Sequence, residues 1–324
     1  MARSTLPDPN CEFQDKSSSS LTFKHPRHDR LLVLLFRLLT LLVILFGWHQ
    51  QNELQLWTDT AWVALRRSPI FYSVYFETFL AVVYGSAVMT FFILLSYLPC
   101  LDRFKLEEAC HESSKRVVED RPQLHSTIRL ALEYSLPLVF LDTFTRKQYV
   151  GVPLHELHSQ PLIGWQQKRI LPLEAPAIGK VCLHLFLALV IYDFLFCAVH
   201  LLLHKSRWLY KTVHKKHHTH TVIDARVTNK LHILERVALV LSANQSLKWV
   251  GAHPLTRFLF VLIFLFLLIE NHAGFDFPFS ISKLVPYQLM GGAKRHHMHH
   301  RHPNRYFQPL FTYLDDFVIP YLFP

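Results

Sequence analysis

Long apolar runs, one after another, decide most of what this chain can become. Residues 31–48 (LLVLLFRLLTLLVILFGW) are apolar apart from Arg37, and the run 70–99 is longer and stops at Pro99. Further runs cover about 127–145, with Pro137 inside, and about 177–203, and a pair covers 233–250 and 254–270. A helix needs about 20 apolar residues to cross the hydrocarbon core of a bilayer, and in lipid only helices and closed barrels satisfy every backbone group. The runs therefore read as helices in lipid. Two choices stay open at this level: Arg37 also suits an interfacial helix over 31–48, and 127–145 also suits a segment that only dips into the membrane. With 51% hydrophobic residues, and 26 Phe against 9 Gly, little is left for an ordinary soluble surface.

The formal charge of +10 does not point to nucleic acid, because the basic residues form no single stripe and no nucleic-acid-binding motif is present. They flank the apolar runs instead. Segments 1–30, 101–129, 204–232 and the C-terminal region hold five, six, seven and five Lys or Arg, whereas the intervening side has Arg66 and Arg67 and four more in 146–176. Cytosolic loops carry the excess of Lys and Arg, so the chain is expected to form helical hairpins that enter from and return to the cytosol. The polar segment 1–30, with Ser17 to Ser20 in a row, reads as a disordered cytosolic tail and is too polar before its apolar run for a cleaved leader. Three regions follow: this tail, N-terminal membrane helices and loops over 31–190, and a histidine-rich region over 191–324. The five cysteines form no CxxC pair and read as reduced. The expected fold is an all-α polytopic membrane helical bundle with a cytosol-facing, histidine-rich di-metal domain.

Fourteen of the 22 histidines lie between positions 200 and 302. Three groups stand out: His200 and His204 as HxxxH, His214, His217 and His218 as HxxHH, and His296, His299 and His300 as a second HxxHH. On an α-helix, positions i, i+3 and i+4 share a face, so each box is expected to point its imidazoles one way. A structural zinc uses about four ligands, and eight aligned imidazoles exceed the needs of one ion, which implies two. Imidazole suits iron, copper and zinc alike. Long apolar helices beside the boxes favour iron, because an inert lipid C–H bond calls for redox chemistry that zinc lacks. His272 closes the last apolar run and is expected to be a ninth ligand. Asp193, two helical turns before His200, is a carboxylate in an apolar run, where such a group marks function more often than packing, and it is expected to orient an imidazole through its second N–H. Glu270 and Asp315 are further candidate orienters, and Asp276 would share a face with His272 if that helix continued.

The ordered series of HxxxH, HxxHH and HxxHH resembles the fatty acid hydroxylase/sterol desaturase superfamily. Within it, Arg207–His218, Gly251-Ala-His-Pro-Leu-Thr256, Glu270-Asn-His-Ala-Gly-Phe-Asp-Phe-Pro278 and Leu284-Val-Pro286 are most similar to the sterol 25-hydroxylase branch, as is Phe311-Thr-Tyr-Leu-Asp315 to the closing signature. Leu203 stands where those relatives carry a further histidine, Leu314 where a Trp is expected, and Asp276 where fatty-acyl members have histidine; the usual Gly-Thr close is missing. No box residue is lost, so these departures bear on substrate and not on the centre. The resemblance implies a di-iron, O2-dependent monooxygenase of the endoplasmic reticulum membrane, acting on a sterol, with cholesterol first, and fed by an electron-donating reductase chain. By analogy His200, His204, His214, His217, His218, His296, His299 and His300 would be iron ligands. C-4 methylsterol oxidation, sterol desaturation and fatty-acyl hydroxylation remain as alternatives on the same centre, with a non-catalytic metal- or sterol-binding membrane protein behind them.

Overall fold

The computed structural model describes residues 27–106, 124–150, 165–219 and 223–322. Most of the expected tail over 1–30 and most of the expected cytosolic loop over 101–129 lie outside the described residues, as do Cys11 and Cys110; residues 27–30 of that tail belong to the first helix. The first apolar run forms α1 (Arg27–His49), followed by α2 (Gln51–Arg67), α3 (Phe76–Ser96) and α4 (Leu124–Phe144). Strands β1 (Thr145–Val150) and β2 (Trp165–Ile170) come next, then α5 (Ile178–Lys205), α6 (Ile233–Trp249), α7 (Pro254–His272) and α8 (Gly292–Arg301). The protein is an all-α polytopic membrane bundle with one departure: β1 and β2 pair in parallel as a two-stranded ribbon, Thr145 opposite Trp165 through Val150 opposite Ile170.

Among the described residues, four helices are long and apolar enough to cross a membrane: α1 over Arg30–His49, α3, α5 and α7. Two of the expected arms are not among them. The helix α6 has 17 residues and carries Glu235, Arg236 and Lys248, and α4 contains Pro137. The apolar residues of α1 face outward, among them Leu42, Val43 and Phe46, as lipid-facing residues do. Arg37 is accounted for locally, because its Nε donates to the Lys283 carbonyl at 2.8 Å.

The core sits where α5, α6 and α7 meet. Ala188, Tyr192 and Phe196 of α5 interlock with Ala243 and Leu247 of α6, with Phe260, Phe264, Leu267 and Leu268 of α7, and with Leu310 from the C-terminal loop. Tyr192 packs edge-on against Phe264, their centroids 4.5 Å apart. A second cluster of Trp62, Phe71, Tyr72, Tyr149, Leu171 and Leu255 ties the ribbon to α2 and to the first turn of α7. Gly274 stops α7: its φ of +76° continues the chain in the left-handed region, and a Cβ there would lie 2.6 Å from the Ile223 carbonyl. His272 is therefore fixed in the last turn of its helix.

Candidate metal centre

The C-terminal end of α5 presents His200 and His204 one turn apart, with their Nε2 atoms 3.2 Å from each other. The helix stops at Lys205, and the chain restarts through a short turn, Arg207–Leu209, that Ser206 caps. That turn widens into a π-helical turn over Tyr210–His214, and His217–Thr219 then tighten into a 3-10 turn. The middle box is thus not a regular α-helix as its spacing suggests. Its three imidazoles nevertheless turn inward. The helix α8 runs back across them and carries His296, His299 and His300, while His272 enters from α7.

Nine imidazoles converge in two groups. His200, His204, His214, His218 and His299 form one, and His217, His272, His296 and His300 the other, each with its ligand nitrogens within 4.8 Å of one another. The boxes do not point as blocks. Each HxxHH box sends its i and i+4 histidines to one group and its i+3 histidine to the other, and the two boxes do so in opposite senses. At about 100° per residue, i and i+4 lie about 40° apart and i+3 falls on the other flank, so one box contributes to two neighbouring groups. The groups adjoin: the rings of His218 and His300 are 4.8 Å apart, and those of His214 and His217 5.6 Å.

Backbone carbonyls set the tautomers. Nδ1 of His200 lies 2.7 Å from the Phe307 carbonyl, Nδ1 of His299 2.7 Å from that of Arg305, and Nδ1 of His272 2.8 Å from that of Leu268. A carbonyl only accepts, so in each case Nδ1 is the donor and Nε2 of the neutral ring keeps its lone pair. Nδ1 of His214 stands 2.9 Å from the Glu235 carboxylate, with both groups buried. The Nε2 atoms of His204 and His214 are 2.8 Å apart, those of His204 and His299 3.1 Å, and those of His272 and His296 2.8 Å. One N–H on His204 cannot serve three ring nitrogens at once. Burial first, and the neighbouring imidazoles after it, hold His214, His217, His296 and His299 well below the ordinary histidine range, and His218 down to about 3. The rings are neutral donors crowded lone pair to lone pair, an arrangement that a cation between them relieves.

Each group could hold a metal ion. Nitrogens bound at about 2.1 Å to one ion stand about 3 Å apart when they meet it at right angles, and the closest Nε2 pairs within the groups are 2.8 to 3.2 Å apart. The four-histidine set matches what a single ion needs, and the five-histidine set offers one more.

The carboxylates expected to orient imidazoles do something else. Asp193 accepts from the backbone N–H of Leu310 at 2.7 Å and of Phe311 at 3.1 Å, and from the Gln308 amide. Asp315 accepts from the N–H of Phe307 at 2.8 Å and of Gln308 at 3.0 Å. Both pin the 305–311 loop, whose carbonyls in turn hold His200 and His299, so they act one step removed from the rings. Burial pushes Asp315 up, against the lowering effect of those N–H bonds. Glu270 receives the Ile281 N–H at 3.4 Å and holds the chain after α7. Asp276 forms an ion pair with Lys283 at 2.8 Å and touches no imidazole among the described residues, because Gly274 has already turned the chain off the helix axis. The residue that does meet a ring, Glu235, escaped notice. Its signal was the one used for Asp193, a carboxylate inside an apolar run, at Ile233-Leu234-Glu235-Arg236-Val237.

His200, His217, His272 and His296 also line one end of a cavity of about 230 Å³, which continues between apolar side chains that include Phe196, Phe264 and Leu268.

A family model described as fatty acid hydroxylase matches residues 185–318, the stretch holding all nine histidines. The cholesterol 25-hydroxylase of Homo sapiens is 31% identical over 256 residues, which cover 79% of this chain and 85% of that protein. The chain belongs to the fatty acid hydroxylase family. Among other members, the cholesterol 25-hydroxylase of Mus musculus is 33% identical over 255 residues, covering 78% of this chain and 76% of that one. A cholesterol 25-hydroxylase-like protein of Danio rerio is 30% identical over 216 residues, or 58% of this chain and 86% of that protein. No solved structure matches this member of the fatty acid hydroxylase family.

Proposed function

We propose that the protein is a di-iron, O2-dependent membrane monooxygenase that hydroxylates a sterol, with the cholesterol side chain as first choice. One observation carries the reading: two sets of neutral imidazoles, five and four, open onto an apolar cavity bounded by membrane-length helices. Similarity to proteins named cholesterol 25-hydroxylase supports the sterol. Bound there, two iron ions would supply the O2 activation that oxidation of an inert C–H bond requires. The nine histidines would hold them, and the Phe307, Arg305 and Leu268 carbonyls keep three of the rings turned inward. Phe196, Phe264 and Leu268 position the aliphatic carbon beside the histidines and exclude water from it. Asp193, Gln308 and Asp315 keep the 305–311 loop in place while substrate enters and leaves. The excess of Lys and Arg on the loops beside the boxes supports a cytosol-facing centre in the endoplasmic reticulum membrane and docking of a reductase there.

The deciding experiment expresses the full chain in cells, supplies cholesterol, and identifies oxysterols by mass spectrometry, with metal analysis on the purified protein. A 25-hydroxylated product and about two irons per chain are expected. A hydroxylated fatty acyl chain, a demethylated sterol or a new double bond instead would move the protein to another reaction of the family. One tightly held zinc and no O2 uptake would end the oxygenase reading.

A further inference from the structure

The cavity has a second, polar end. Arg257 lies in the first turn of α7 and His272 in its last, and both line the same cavity. They are fifteen positions apart along the helix, about 22 Å of helical rise, shortened by the inward reach of both side chains. Around Arg257 stands a charged cluster drawn from four other elements, α3, α4, β1 and β2. Glu77 of α3 meets Lys147 of β1 at 2.9 Å, Arg169 of β2 at 2.6 Å and Arg257 at 3.2 Å. Lys147 also meets Asp142 at 3.0 Å, and Asn244 accepts from Arg257 at 2.8 Å. These charged side chains are only 10–21% exposed, yet all of them line the cavity.

Charges held away from water are costly unless fully paired. Here three cations face two carboxylates among the described residues, which leaves one positive charge in excess. The hydrogen bonds of Arg257 to Glu77 and Asn244 use three of its five N–H donors. A cluster that served only to fasten the ribbon to the helices would not need to face a cavity, nor to keep donors over.

Resting on the sterol-hydroxylase reading above, we infer that this cluster is the recognition site for the hydroxyl at the far end of an elongated sterol. Arg257 donates to the hydroxyl oxygen, and a carboxylate of the cluster accepts a hydrogen bond from the hydroxyl O–H. The ring system then lies along Phe260, Val261 and Phe264, and the side chain is delivered to the histidines. Orientation is set at the end remote from the chemistry, so a lipid with its polar group elsewhere would present the wrong carbon.

Two measurements on the full chain in membranes test this. The first uses two photoreactive cholesterol analogues, one with a diazirine on the ring beside the hydroxyl and one at the side-chain terminus, with adducts mapped by mass spectrometry. The ring probe is expected to label the surroundings of Glu77 and Arg257, and the tail probe those of His200 and His272. The reverse pattern overturns this inference and leaves the sterol reading intact; no cavity adduct from either probe overturns both. The second compares cholesterol with its 3-deoxy analogue in wild type and Arg257→Gln. Wild type should prefer the hydroxysterol about tenfold or more in kcat/KM, the size of a hydrogen bond to a charged group, and the variant less than about twofold. An unchanged preference in an active variant refutes the assignment.

Discussion

Replacing Asp193 by asparagine changes one oxygen to an amide nitrogen in a buried site where no rearrangement satisfies every group. Oδ1 can go on accepting from Leu310 and Phe311, but the new Nδ2 then faces the Nε2 of Gln308, donor against donor. Turning the Gln308 amide over repairs that contact and breaks another, because its Oε1 accepts from the N–H groups of Leu314 and Asp315 at the other end. The variant loses one charge-assisted hydrogen bond, about 1.5–3 kcal/mol, and strands at least one buried donor, about 1–3 kcal/mol more, so destabilisation of about 3–5 kcal/mol is expected. The loss falls on the loop that supplies the Phe307 and Arg305 carbonyls, and bound metal should fall with it. Thermal unfolding in detergent, with metal content by mass spectrometry, reads both effects. The paired change Asp193→Asn with Gln308→Glu restores a donor facing an acceptor at both ends and should recover much of the stability. A single variant with the wild-type midpoint and metal content would refute the account of this loop.

Two further outcomes follow from the same geometry. Because His217 belongs to the four-histidine set and His299 to the five-histidine set, either changed to alanine should abolish turnover while the protein stays in the membrane. His217→Ala should lose close to one ion of two and His299→Ala should lower affinity at the other, as metal titrations of the two variants would show; identical titration curves would contradict two separate sites. Glu235→Gln weakens the partner of the His214 Nδ1 without removing its bulk, and a loss of about 10–100-fold in metal affinity or turnover is expected. Turnover within twofold of wild type would mean that Glu235 does not hold the ring.

Much of the site was legible before any fold. Spacing alone marks His200, His204 and the two HxxHH boxes, and the end of an apolar run marks His272, all of which converge in the structure. Partners were less legible. Asp193 stands out in the sequence as a costly charge in an apolar run, but the donors it accepts from lie 115 or more residues away in sequence, and no local pattern says whether a carboxylate meets a ring or a backbone N–H. Asp276 stays off the helix face of His272 because of one conformational fact, the positive φ of Gly274.

By itself, the amino-acid order determined that the chain lives in lipid, that imidazoles too numerous for one ion gather beside the membrane-length helices, and which family's motifs it carries. These are properties of composition and of short spacings, which act within a segment. The division of nine histidines into five and four was decided only by the tertiary structure, as were the exchange of each box's i+3 residue and the carbonyls that fix the tautomers. The physical reason is that a ring's direction depends on a few tens of degrees of helix rotation and on the turn that breaks the helix, and packing among α5, α7 and α8 sets both.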